Sequence, residues 1–291
     1  MIPYARQRVP LKPALGSTPL VELSLPTYSP SLSLASSPSI HAEIGRYRVR
    51  LAQTSDDREA ACRLRFKVFN IELGEGLESS YRTGLDTDKF DMVCDHLLVE
   101  DKLETNPAKR IVGTYRMQSG DNAKRDLGYY SEQEFNFAPF EPLRSGILEL
   151  GRASIDREHR TPEVLTLLWR GIAQYATDMD LRFLIGCSSI NSKNPGDGSQ
   201  MYRQLERYMV SPELATLPTA AYACSTTYGF TETTTSVKIP KLLKTYLAIG
   251  CRIGGPPAWD REFGTIDFLT FLDLKLVSSS ARNRFLAPLT Q

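Results

Sequence analysis

The sequence predicts an α/β fold, a mixed central sheet flanked by helices, with a flexible N-terminal arm. Three observations predict it. His96–Glu100 and Arg110–Met117 read as the two strands of a hairpin. A strand–helix–strand unit follows, from Ile147 through a helix opened by Thr161 and Pro162 to the apolar run Phe183–Cys187. Residues 1–46 are rich in Pro, Ser and Leu, and proline at that density blocks regular structure.

The globular part is predicted over 47–291. Tyr47–Gln53 alternates as a strand, and Thr54-Ser-Asp-Asp57 offers helix caps with acids suited to a helix N-terminus. Ala60, Ala61, Leu64, Val68 and Ile71 give the helix its apolar stripe. A loop runs from Glu72 to Cys94. The hairpin comes next, then a polar, irregular stretch over 119–146 with a short helix near Ser131–Phe135. In the strand Ile147–Asp156, alternation puts Ile147, Glu149, Gly151, Ala153 and Ile155 on one face. Leu148, Leu150, Arg152 and Ser154 take the other. A carboxylate, a glycine and an arginine are odd choices for a plain core, and glycine there marks a bulge or a close ligand. Pro162 sits at a favoured first-turn position, and Val164, Leu168, Gly171, Ile172 and Tyr175 form that helix's buried face. Asn191–Gly198 reads as a turn and Met201–Met209 as helix. Thr231–Ile239 reads as strand, Pro240–Leu247 as helix, Gly254–Pro257 as a rigid turn and Ile266–Leu274 as the last strand.

Composition narrows the function. The chain has 291 residues, 35 basic and 34 acidic, so bulk charge makes no case for nucleic acid. Its five widely spaced cysteines form neither a disulfide framework nor a zinc pattern, so no metal is expected and a reducing cytoplasm fits best. No apolar run is long enough to span a bilayer, and no signal-peptide core is present. The chemistry-bearing side chains are Arg65, the acidic loop with Asp88 and Asp91, Arg116, and Glu149 with Arg152. Alone, each also fits a structural ion pair.

The order Leu64-Arg-Phe-Lys-Val-Phe69, Asp86-Thr-Asp-Lys-Phe-Asp91, Val112-Gly-Thr-Tyr-Arg116 and Glu149-Leu-Gly-Arg152 resembles the acyl-homoserine-lactone synthase branch of the GNAT N-acyltransferases. With Phe90–Val99, Leu184–Cys187 and the closing block Gly255–Phe268 added, the chain more fully resembles the ornithine lipid N-acyltransferases and related N-acyl amino acid synthases, often labelled hemolysin-like. The resemblance covers about 47 to 274. It implies a GNAT-like fold and transfer of a fatty acyl group, often 3-hydroxylated, from acyl carrier protein (ACP) to the α-amine of ornithine, giving a lyso-ornithine lipid. The donor would be the acyl-phosphopantetheine of ACP, with no tightly bound cofactor. The matching charged set is Arg65, Asp88, Asp91, Arg116, Glu149 and Arg152, with Phe69 beside it. One departure bears on the donor: Asp156–Glu163, where ordinary GNAT proteins wrap a pyrophosphate, has no glycine, so phosphate cannot approach the backbone as closely.

Amide formation from a thioester needs proton removal from the ammonium, donors for the tetrahedral oxyanion, and close alignment. Glu149 is the first candidate base and His96 the second. The oxyanion donor is expected as a backbone N–H near Gly151 and Arg152. Arg65, Arg116 and Arg152 compete for three roles: gripping the acceptor carboxylate, fixing Asp88 and Asp91, or meeting the carrier. Structural pairing is favoured for Arg65 and substrate contact for Arg152. Arg157, Arg160 and Arg170 form a candidate basic rim for acidic ACP. Cys187 reads as a buried hydrophobe rather than a nucleophile, and Asp197 lacks the ligands of a calcium loop. Phe135, Phe137, Phe140, Tyr129 and Tyr130 line an acyl pocket or form a satellite core. Other acceptors such as glycine, a non-catalytic adaptor role and transient contact with a membrane surface stay open.

Overall fold

The computed structural model describes residues 38–224 and 237–286. The sheet opens with a hairpin of β1 (His41–Ile44) and β2 (Tyr47–Leu51), paired from His41↔Arg50 to Ile44↔Tyr47. Residues 41–46, expected in the arm, are thus part of the sheet. Ala42 and Ile44 join the core, and Gly45, at φ 58°, supplies the left-handed residue of a two-residue turn.

Helix α1 (Ser55–Phe66) starts at Thr54, whose hydroxyl accepts the Asp57 N–H at 3.1 Å. It runs on as a π-helical stretch, Lys67–Leu73. The wider winding breaks the 3.6-residue repeat, so the expected stripe ends at Val68 and Ile71 is 63% exposed. Strand β3 (Asp95–Asp101), the single turn α2 (Pro107–Arg110) and β4 (Ile111–Ser119) form the expected hairpin. After α3 (Gly120–Arg125) come two 3₁₀ segments, Tyr130–Gln133 and Ala138–Gly146. Strand β5 (Ile147–Ile155), α4 (Pro162–Asp178) and β6 (Phe183–Ile190) are the strand–helix–strand unit. The Gly-rich stretch read as a turn already holds the start of α5 (Pro195–Leu205), where Asp197 occupies the first turn that favours an acid. Helix α6 (Lys241–Ile249), β7 (Arg252–Ile253), β8 (Ala258–Asp260), β9 (Thr265–Asp273) and α7 (Ser279–Phe285) complete the described chain. Of the strand read at Thr231–Ile239, residues 231–236 lie outside the described residues and 237–239 are loop.

The strand order is β1-β2-β3-β4-β5-β6-β9-β7, with β8 also on β9; β5 and β6 pair in parallel and the others antiparallel. The period of two sorts the cores. Leu97 and Val99 join Val49, Tyr115 and the α4 residues Val164, Leu168 and Ile172 in one core. Leu98, between them, packs with Ala61, Leu64 and Val68 of α1.

Strand β5 departs from regularity twice. Against β4 its register shifts between Gly151 and Ser154, so Arg152 and Ala153 together oppose Tyr115, and Arg152 adopts φ 52°. This is a bulge with its first residue left-handed. It inverts the expected alternation. Leu148, Leu150, Ala153 and Ile155 all pack toward the α4 core, and Arg152 turns to the face that carries Glu149. Against β6, β5 pairs only over Ile147–Glu149 with Phe183–Ile185, and beyond that the strands diverge.

Candidate active site

A cavity of about 370 Å³ occupies this divergence. Leu150, Met117, Trp169, Leu184, Leu243 and Tyr246 give it an apolar wall. Glu149, Arg116 and Arg152 line it with Phe69 and Tyr130, while Glu75, Asp260 and Asp267 supply a second charged wall. Gly186 is required at the fork, since a Cβ there would lie 2.2 Å from the Leu150 carbonyl oxygen.

The cations are held by the acidic loop. Arg65, fully buried on α1, donates to Asp86 at 2.7 Å and to both oxygens of Asp91 at 2.7 and 2.8 Å. Arg116 donates to Asp88 at 2.7 Å and Asp91 at 3.3 Å, and Arg152 to Asp88 at 3.1 Å. Asp88 and Asp91 also close a capping box on the turn Lys89–Met92. Burial alone would raise the Asp91 carboxyl, but the Arg65 and Arg116 guanidinium groups hold it well below the usual range. Arg152 lies between two rings, its Cζ 4.9 Å from the centre of Tyr130 and 4.4 Å from Phe263.

Glu149 is anchored from the other side. One carboxylate oxygen accepts the Tyr130 N–H at 2.7 Å, and the other accepts the Ser131 N–H at 2.8 Å and the Ser131 hydroxyl. Burial raises its pKa and these donors pull it back, leaving it above the ordinary carboxylate value.

The expected site residues therefore divide. Glu149, Arg152, Arg116 and Phe69 come together on the cavity. Arg65, Asp88 and Asp91 do not line it: Asp88 and Asp91 hold Arg116 and Arg152 from behind, and Arg65 pairs with the acidic loop, the role favoured for it from sequence. His96 is also placed away from the cavity. Its Nε2 faces the Asp91 carbonyl at 3.2 Å and must carry the proton, and burial followed by the nearby Arg65 charge lowers its pKa to about 4. Its basic nitrogen is then Nδ1, which is buried away from the cavity and so has no path to the ammonium. Of the basic rim, Arg157 is exposed, Arg160 is engaged with Glu72 at 2.6 and 2.8 Å, and Arg170 is half-buried on α4. Tyr129, Phe135, Phe137 and Phe140 pack with Phe183 and Phe271 as a satellite core, leaving Tyr130 as the cavity ring of that group. Cys187 lines the cavity, but burial and then the Glu134 carboxylate hold its thiol well above its usual pKa, which removes nucleophilic character.

Sequence reasoning missed the second charged wall and the carboxylate behind it. Glu134, which does not line the cavity, is buried with the wall residues Asp260 and Asp267, with oxygens within 4.8 Å of one another. The signal was a lone acid, Asp267, inside the apolar strand from Ile266; an acid rarely sits there without a partner.

Residues 64–170 match the family model described as an acetyltransferase (GNAT) domain. The chain is 32% identical over 251 residues to the L-ornithine N(alpha)-acyltransferase of Brucella abortus, covering 82% of this chain and 89% of that protein. The chain belongs to the L-ornithine N(alpha)-acyltransferase family. The corresponding protein of Agrobacterium fabrum is 30% identical over 248 residues, covering 82% of this chain and 85% of the relative. Among solved structures, an N-acyl amino acid synthase from uncultured soil microbes aligns at 13% identity and a TM-score of 0.48, over 80% of this chain and 94% of that one. Among the described residues no helix is long and apolar enough to cross a membrane.

Proposed function

We propose that this chain transfers a fatty acyl group from the phosphopantetheine thioester of ACP to the α-amine of L-ornithine, giving a lyso-ornithine lipid. The observation that carries the reading is the cavity between β5 and β6, apolar along one side and ending on Glu149 and Arg152. An acyl chain needs the apolar wall. Pantetheine is a slender arm, and the fork opened at Gly186 offers it a way between the strands. Family membership supports ornithine as acceptor.

In this reading Glu149 takes a proton from the α-ammonium, directly or through water, and its raised pKa suits the task. The amine then attacks the thioester carbonyl. The C–N bond forms, the C–S bond breaks, and the pantetheine thiolate leaves and is protonated. Arg116 and Arg152, pre-oriented by Asp88, grip the acceptor carboxylate. Backbone N–H groups of β5 near the Gly151–Arg152 bulge are the candidate oxyanion donors. Arg157 and Arg170 form the rim that meets the acidic carrier, with Arg160 bracing the loop through Glu72.

Mass spectrometry of lipids from a heterologous bacterial host expressing the chain tests this. An ion matching 3-hydroxyacyl-ornithine should appear, and with Glu149→Gln it should fall by roughly 10²–10⁴-fold. Abundant folded protein that produces no acylated amino acid would overturn the proposal.

A further inference from the structure

We propose that Glu134, Asp260 and Asp267 form the subsite for the side-chain ammonium of a diamino acid acceptor, and so select the acceptor. The inference rests on the acyl-transfer reading above and concerns which amine-bearing substrate enters.

Four observations carry it. First, the group is uncompensated: no lysine or arginine forms an ion pair with Glu75, Glu134, Asp260 or Asp267 among the described residues. Buried carboxylates are ordinarily paired, and an unpaired set is costly. Second, two oxygens lack a cationic partner. Oδ1 of Asp267, a residue 3% exposed that lines the cavity, and Oε1 of Glu134, fully buried, are enclosed with no backbone or cationic donor; the two carboxyls hydrogen-bond to each other, and the Ser189 hydroxyl also serves Asp267.

Third, the other oxygens are spoken for. Asp260 Oδ1 accepts the N–H groups of Glu262 and Phe263 at 3.0 and 2.8 Å, and its Oδ2 takes the Tyr130 hydroxyl at 3.3 Å. Asp267 Oδ2 takes the Thr265 hydroxyl at 3.3 Å. Two carboxylate oxygens without a cation suit an ammonium with three N–H donors. They fall well short of the six or more oxygens that calcium seeks. Fourth, the site lies one residue from the carboxylate grip. The Tyr130 ring meets Arg152 at 4.9 Å while its hydroxyl meets Asp260. Phe263 likewise stacks on Arg152 while its N–H serves Asp260. A short amino acid with a carboxylate at one end and a second amine at the other matches that polarity. Burial and mutual repulsion raise the Glu134 carboxyl well above its usual value and Asp267 to about 6, so a cation binding there displaces a proton.

The test compares L-ornithine with L-norvaline, the same skeleton without the second amine, using purified full chain and acyl-loaded ACP. Wild-type kcat/KM should favour ornithine by at least about 10²-fold, since a site built for a polar group rejects the analogue lacking it. Asp267→Asn and, separately, Glu134→Gln should collapse that ratio to under about tenfold, chiefly through the KM for ornithine. Both are isosteric, so one folded variant suffices. Comparable use of norvaline by the wild type, or an unchanged ratio in both variants, overturns the subsite while leaving acyl transfer intact. Acylation of neither acceptor overturns the function and the subsite together. A rise in Tm with MnCl2 or CaCl2 that Asp267→Asn abolishes, with none from ornithine, overturns it in favour of a metal site.

Discussion

Two buried groups of charge flank one cavity and differ in balance. Around Arg65, three arginines meet three aspartates, and Arg65, Arg116 and Asp91 are each at most 4% exposed. Around Asp267, three carboxylates pair with no lysine or arginine among the described residues. The first group satisfies itself and works as scaffold. The second stays at a deficit until something cationic arrives. Burial by itself therefore says little about role; the state of charge balance separates support from site.

The largest expected effect breaks the balanced group. Arg65→Met leaves Asp86 and Asp91 buried without their main partner and should cost about 3–5 kcal/mol of stability, read by urea unfolding. A loss under 1 kcal/mol would show that Arg116 and Arg152 compensate alone.

The opposite sign is expected on the other side. Burial lifts the Asp267 carboxyl to about 6 in the folded chain, above the ordinary aspartate range, so the folded state holds its proton longer. Stability is then lost as pH rises from about 4 through 6. Asp91 is depressed, so its contribution is present above about pH 4 and is lost only on further acidification. Asp267→Asn should thus raise Tm at pH 7 more than at pH 4.5, without changing the acid limb. An identical gain at both pH values would mean packing, not charge, is responsible.

How much of this the sequence showed follows the same division. Period-two patterning marked the hairpin, the central strand and the last strand, because each buries one face or both. The Glu149-Leu-Gly-Arg152 stretch stood out because its residues are unusual in a strand. The π-helical winding after Phe66 and the left-handed Arg152 were not legible: nothing local forbids regular continuation, and tertiary contacts impose the change. Glycine at 151 hinted at a bulge, but the inversion that brings Arg152 beside Glu149 needs the register with β4. His96 looked like a base since its reference pKa suits one; its depth beside Arg65 and its place off the cavity are set by tertiary structure alone. The acidic wall comes from three separate elements and has no motif spacing at all.

A smaller effect sharpens the role of Arg152, which pairs with Asp88 and stacks on two residues that serve Asp260. Arg152→Lys keeps the charge and loses the fork and the flat stacking on Tyr130 and Phe263, so kcat/KM for the acceptor should fall about tenfold. The backbone strain at φ 52° is unchanged by this swap, which separates recognition from folding. Wild-type kcat/KM in the variant would confine Arg152 to the scaffold.

The smallest expected effect sits on the bridge. Tyr130→Phe keeps the ring against Arg152 and removes the hydroxyl that donates to Asp260 at 3.3 Å. Loss of one such bond costs about 0.5–1.5 kcal/mol. It also leaves the uncompensated group with one donor fewer, so Asp260 competes more strongly with Asp267 for any cation. If the two groups act separately, the variant should alter the ornithine KM and spare the KM for acyl-ACP. If instead both shift together, Tyr130 transmits the position of one wall to the other, and the balanced scaffold and the unbalanced site are parts of one unit.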